Sequence, residues 1–152
     1  MNENIETSSI KTEYPVSSGG IVYKFVEKEL YVIICGGNSP TGYTWRLPKG
    51  TPAEGATREE TAIREVTEAT GLHVKIAIYI GNINYQFEIP GDDVRFDKTV
   101  HFYLMQRTSG STKDHDHEFE EVRRVLAGEA IQMLTYDSET NILQKAIQAT
   151  RE

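Results

Sequence analysis

Cysteine is almost absent from this chain of 152 residues: Cys35 is the only one. A lone cysteine cannot close an internal disulfide, so a reducing cytoplasm suits the protein. Cys35 sits in the apolar run Tyr31-Val32-Ile33-Ile34-Cys35, where a buried thiol is expected rather than a nucleophile. No apolar stretch approaches the length of a membrane span. The first residues, Met1 to Glu13, are polar and hold no apolar signal core. Positive charge is scarce as well, with 16 Lys and Arg against 23 Asp and Glu, a net charge of -7. That balance excludes a general DNA-binding surface, which needs clustered cations to neutralise phosphates. An acidic protein that handles polyphosphates would need metal ions between the like charges. The expectation is a soluble cytoplasmic protein with no membrane or DNA partner.

The length suits one domain with one sizeable core, and no internal repeat divides it. Residues 1–13 read as a flexible tail rich in Asn, Glu, Ser and Thr, and residues 14–152 as a single domain. Ile21–Val26 and Leu30–Cys35 are β-rich runs about the charged tip Glu27-Lys28-Glu29, a hairpin pattern. Gly36–Tyr43 reads as a loop and Trp45–Leu47 as a short strand. From Thr57 to Thr70 the pattern turns helical, with Ala62, Ile63 and Val66 as the apolar stripe and Gly71 as a left-handed stop. Val74–Ile89 is one long or bent strand, or two short ones. Pro90–Asp93 is a turn, Thr99–Met105 a strand and Ser109–Asp116 a polar loop. Val122–Leu126 is a short strand and Gly128–Leu134 a short helix. Ser138–Ala149 is a helix with Ile142, Leu143, Ala146 and Ile147 on one face and Ser138 as its cap. This order fits a mixed α/β layered domain.

The most informative stretch runs from Leu47 to Leu72: a strand end, a Gly-rich loop, then an acidic helix. Glu65 and Glu68 are three residues apart, on one helical face and within reach of a shared ion. Mg²⁺ takes oxygen ligands and keeps several waters, so two or three carboxylates suffice. The same pair could be only a solvated helix face, but Gly50, Arg64 and Gly71 stand at fixed offsets around it. The segment resembles the Nudix box, G-x5-E-x7-R-E-U-x-E-E-x-G-U, with U aliphatic. Gly50, Arg64, Glu65, Val66, Glu68, Gly71 and Leu72 fall on the pattern, whereas Ala56 and Ala69 stand where it asks for glutamate.

The resemblance runs from about Ser17 to Ala149 and is closest to the diadenosine tetraphosphate hydrolase-like branch of the MutT-like Nudix proteins. It is carried outside the box by Ser18–Tyr23, Trp45–Gly50, Asn84–Phe87, Lys98–Tyr103 and the tract from His117 to Arg123. It implies a mixed sheet between helices and Mg²⁺-dependent hydrolysis of a nucleoside diphosphate linked to another moiety, with Mn²⁺ as a substitute. Dinucleoside polyphosphates, cut asymmetrically to ATP and AMP, are the favoured substrates, and a homodimer is left open. The Gly50 carbonyl, Glu65, Glu68 and Glu118 are the implied metal ligands. Arg64 is implied to brace the loop against the helix, with Glu54 as partner.

Several residues keep two readings. Glu118 either reaches the metal centre, as ligand or base, or is one more charge in an acidic loop. Lys49 is a phosphate contact or a loop charge. Tyr85 stacks on a base or packs in the core. Lys98 holds distal phosphates or is an edge-strand charge, and Tyr136 is a weaker stacking candidate. His101 and Tyr103 alternate along one strand and could line the cleft. His115 and His117 read as exposed rather than as a zinc site, and Arg124 stands where relatives often carry tryptophan. Family logic puts a metal ligand at position 69 and a supporting glutamate at 56. The two alanines therefore admit a slow hydrolase, a nucleotide-binding regulator that does not cleave, or deliberate inactivating substitutions.

Overall fold

The structure is a computed structural model that describes residues 10–151. In chain order the strands are β1 (Lys11–Glu13), β2 (Val16–Val26), β3 (Glu29–Ser39), β4 (Gly42–Arg46), β5 (Lys49–Gly50), β6 (Leu72–Glu88), β7 (Val94–Gly110) and β8 (Glu121–Leu126). The helices are α1 (Arg58–Thr70), between β5 and β6, and α2 (Ala127–Met133) and α3 (Asp137–Ala149) at the end.

β2 organises the sheet by changing partners along its length. Its first half, Val16–Val22, runs parallel to Thr99–Met105 of β7, while Tyr23–Val26 pairs antiparallel with β3. Because successive strand residues face opposite ways, the apolar run in β2 feeds two cores at once. Ile21 joins Val32, Ile34, Val100 and Phe102 beneath α2 and α3, whereas Val22 joins Ile33, Tyr103 and Met105 beneath α1. The mixed sheet is thus covered on both faces by helices.

Local chemistry explains the element ends. Thr57 caps α1: its hydroxyl accepts from the Glu60 N–H at 3.0 Å, and the Glu60 carboxylate accepts from the Thr57 N–H at 2.9 Å. Gly71 ends the helix at φ 80°, and its N–H donates to the Thr67 carbonyl. The buried residues of α1 are Thr61, Ala62, Val66, Ala69 and Thr70, while Ile63 is only partly covered. Cys35 is fully buried, and burial pushes its thiol pKa far up.

Three local expectations need correction, and a fourth is made definite. Lys11–Glu13, read as tail, adds a parallel strand to Val94–Phe96; residues 1–9 lie outside the described residues. The Gly36–Tyr43 loop is a continuation of β3 to Ser39, a turn and the start of β4, with Asn38 opposite Tyr43. Gly, Asn and Ser there mark a hairpin, and backbone pairing with β4 overrides their weak strand preference. α3 starts a residue early, with Tyr136 at the N-cap and no side-chain cap bond, so Ser138 caps nothing. β6 and β7 form one long bent hairpin with register shifts at His73/Val74, Ile76/Ile78 and Tyr79/Gly81. Those bulges bend the ribbon without breaking it.

Candidate active site

Four elements meet at one edge of the sheet. β5 supplies Lys49 and Gly50, α1 supplies Arg64, Glu65 and Glu68, and the loop before β8 supplies Glu118. The β4 end, with α3 behind it, supplies Arg46. Gly50 is required here by space. A Cβ on it would lie 2.0 Å from Glu65 Oε1, so the Glu65 carboxylate sits directly against the Gly50 backbone. Arg64 clamps the pair, donating to Glu65 Oε2 at 2.7 Å and to the Thr51 carbonyl at 2.8 Å. Its Nε is 4.0 Å from Glu68. The brace between loop and helix is made through Thr51 and Glu65; the exposed Glu54 is not among the described partners of Arg64.

The two helical carboxylates differ in freedom, the Glu65 side chain being 17% exposed and that of Glu68 52%. Glu118 completes the acidic group from the loop. The loop is seated by the Asp116 N–H, which donates to the Glu68 carbonyl at 2.9 Å. Partial burial raises the Glu118 pKa, and the charges of Asp116, Glu65 and Glu68 add to the rise while Lys49 opposes it. Three carboxylates and a carbonyl form the all-oxygen donor set that a Mg²⁺-class ion takes. As placed, no three acidic, histidine or cysteine groups among the described residues converge tightly enough to hold an ion. Glu68 and Glu118 are surface side chains, free to change rotamer. The donor set fits the group.

Ala69 is fully buried, on the flank of α1 that the helix turns inward. A glutamate there would have to displace what covers it. Ala56 is half-buried in the turn before the Thr57 cap.

Cations and aromatics build the facing wall. Glu139 is only 1% exposed, and it accepts from Arg46 Nε at 2.9 Å and from the Leu47 N–H at 2.7 Å. Arg46 in turn lies over the Tyr136 ring, 4.6 Å from its centroid. Burial lowers the Lys49 pKa to about 8, with Arg46 adding to the fall. Tyr85 and Lys98 are directly opposite one another on β6 and β7. Burial lowers the Lys98 pKa and raises that of Tyr85, and both feel the Arg46 charge. A cavity of about 200 Å³ opens beside them, lined by Arg46, Lys49 and Glu118 with Asn38, Thr44 and Phe119, while Glu65, Glu68, Tyr85, Lys98 and Tyr136 lie outside its lining.

Arg46 and Glu139 escaped the sequence reading. The signal was present: Glu139 falls in register with Ile142, Leu143 and Ala146, so a carboxylate sits on the apolar stripe of α3. His101 and Tyr103 do not line this cavity. They lie on the α1 face of β7, opposite to Val100 and Phe102, where Tyr103 is buried. His101 there meets Tyr79 Oη at 2.8 Å and Arg58 at 3.0 Å. Burial, then the Arg58 charge, lowers its pKa. Of the two loop histidines, His117 is exposed, but His115 is half-buried, with Nδ1 2.6 Å from the Asp116 carbonyl oxygen. The tight loop fold that seats Asp116 on α1 draws it in.

Among the described residues no helix is long and apolar enough to cross a membrane. Known proteins share this fold. The chain is 33% identical over 144 residues to a "Putative mutator protein MutT4" of Mycobacterium tuberculosis, covering 92% of this chain and 57% of the relative. It therefore spans little more than half the length of that relative. Among solved structures, a Caenorhabditis elegans Ap4A hydrolase binary complex superimposes with a TM-score of 0.71 at 18% identity, covering 90% of this chain and 98% of the other. The Nudix domain of Shewanella oneidensis NrtR complexed with ADP ribose gives 0.70 at 12% identity, with 99% of both chains covered. The NUDIX domain family model matches residues 14–145, and with it the chain belongs to the Nudix family.

Proposed function

We propose that the protein is a Mg²⁺-dependent Nudix pyrophosphohydrolase that cleaves a nucleoside diphosphate linked to another moiety, with diadenosine tetraphosphate the favoured substrate and ATP plus AMP the products. The observation that carries this reading is the meeting of Glu118 with Arg46 and Lys49 on one cavity, with Glu65 and Glu68 close enough to Glu118, and Lys98 close enough to Arg46, for their charges to be felt. Phosphates need the cations, the cleavage needs the carboxylates, and Tyr85 and Tyr136 offer exposed rings to a base. The Ap4A hydrolase likeness supports the dinucleotide choice, and the ADP-ribose complex supports a nucleoside diphosphate at its heart.

Magnesium, when bound, supplies charge neutralisation at the phosphate oxygens and acidifies water. The Gly50 carbonyl, Glu65, Glu68 and Glu118 would hold it. Lys49, Lys98 and Arg46 grip the phosphate chain. Arg64 keeps Glu65 against Gly50. Water adds its oxygen to phosphorus, the anhydride P–O bond breaks with its electron pair leaving on the departing phosphate, and Glu118 takes the proton. Arg46 is held ready by Glu139, so the phosphate contact costs little reordering.

A second reading has an observation of its own. Ala69 is fully buried, and the ligand the box asks for at that position is missing. On that reading the protein binds nucleotides without cleaving them. Incubation with Mg²⁺ and diadenosine tetraphosphate, with chromatography for ATP and AMP, separates the two. Tight binding with negligible turnover, unchanged in an Ala56→Glu/Ala69→Glu double variant that remains folded, rejects the hydrolase.

A further inference from the structure

We propose that the hollow beside the C-terminal end of α1 binds a small phosphorylated molecule with an apolar or aromatic body. Among the described residues the hollow shares no lining residue with the cavity beside Arg46, Lys49 and Glu118. Its volume, about 390 Å³, is that of a small-ligand pocket.

Floor and rim differ in chemistry. The floor is apolar, built from Val22, Ile33 and Leu72, all members of the core beneath α1. The rim carries Lys24, Arg107 and Arg124, all three exposed, and among the described residues no acidic one lines the hollow. In a chain of net charge -7, such a gathering of cations without carboxylates is against the average. Among the described residues the ion pairs of arginine use Arg46, Arg64, Arg95 and Arg123, and lysine makes none. The three rim cations repel one another, and an anion between them turns that repulsion into attraction.

Two of them are also oriented. Arg124 lies over the Tyr31 ring at 5.0 Å, and Arg107 Nε donates to the Gly110 carbonyl at 2.9 Å. Both contacts fix the plane of a guanidinium while leaving terminal N–H groups for a ligand. A planar fork of donors matches phosphate oxygens in pairs. Inorganic phosphate would leave the floor unused, and an uncharged ligand would leave the rim unused. An organic phosphate uses both.

The test is a titration of the full ¹⁵N-labelled chain with AMP in EDTA, read from backbone amide resonances. Saturable shifts at Leu72, Gly110 and Thr112 are expected. Arg107→Gln and Arg124→Gln, both on the surface, should each weaken that binding about fivefold or more. Lys49→Gln should leave it unchanged. Shifts confined to Lys49, Gly50 and their neighbours would overturn the proposal, as would binding indifferent to both arginine variants. Inorganic phosphate binding as tightly as AMP would show an anion hole without an organic ligand and overturn it too. Tighter binding of a hexaglutamate peptide would do so in favour of an acidic protein partner.

Discussion

The two sides of the cleft are built by opposite means. On the basic side a fully buried carboxylate, Glu139, fixes Arg46 and the Leu47 amide together, and Tyr136 backs the guanidinium. On the acidic side Glu68 and Glu118 stand in solvent, and only Glu65 is tied down, by Arg64. The grip is therefore set before any ligand arrives, while the chemical groups wait to be gathered. Binding should depend on the buried pair, and turnover on the acids.

The sharpest way to break this contrast is Glu65→Gln. Turnover of diadenosine tetraphosphate should fall about 100-fold or more, while nucleotide affinity by calorimetry stays within about threefold. Equal losses in both would mean that the two sides are one unit. Next in size is Glu139→Gln, which removes charge from the buried pair with Arg46. Stability from urea unfolding should drop by about 2 kcal/mol, and KM should rise more than kcat falls. A lowered kcat at constant KM would place Glu139 with the chemistry instead.

Ala69→Glu probes the unfinished side. Turnover should rise about tenfold, at the expense of about 1–3 kcal/mol of stability for a carboxylate in a buried position. A rise without destabilisation would show that the position is less enclosed than its burial indicates. The smallest effect concerns His101. Its depressed pKa means that the unfolded chain takes up a proton before the folded one does, so stability is lost as pH falls below the ordinary histidine value. Arg58→Gln removes the lesser cause and leaves burial, so the NMR titration midpoint of His101 should move up but stay under that ordinary value. A midpoint that does not move would show that Arg58 exerts no charge on the ring.

How much of this could be read from the chain alone follows the range of the interactions involved. The capped acidic helix, its Gly71 stop and the loop before it were legible, because each depends on residues a few positions apart. So was the hairpin at Glu27-Lys28, since alternation survives even though both residues take positive φ. The Arg46–Glu139 pair joins residues far apart in sequence, and only a polar residue on the apolar stripe of α3 hinted at it. The face to which His101 points depends on which way β7 enters the sheet, and alternation says nothing of that. Lys11–Glu13 is too short and polar to announce a strand; the free edge of β7 recruits it.

The absence of a side chain at position 71 has a reach well beyond the helix it ends. A Cβ there would stand 2.3 Å from the Ser111 carbonyl oxygen and 2.8 Å from the His115 nitrogen. Any larger residue would lever the whole segment up to Glu118 off its seat, leaving Arg46 and Glu139 undisturbed. If the proposed roles hold, a lesion at that remote hinge would displace Glu118 and spare the basic wall, making retention and reaction separable by one methyl group.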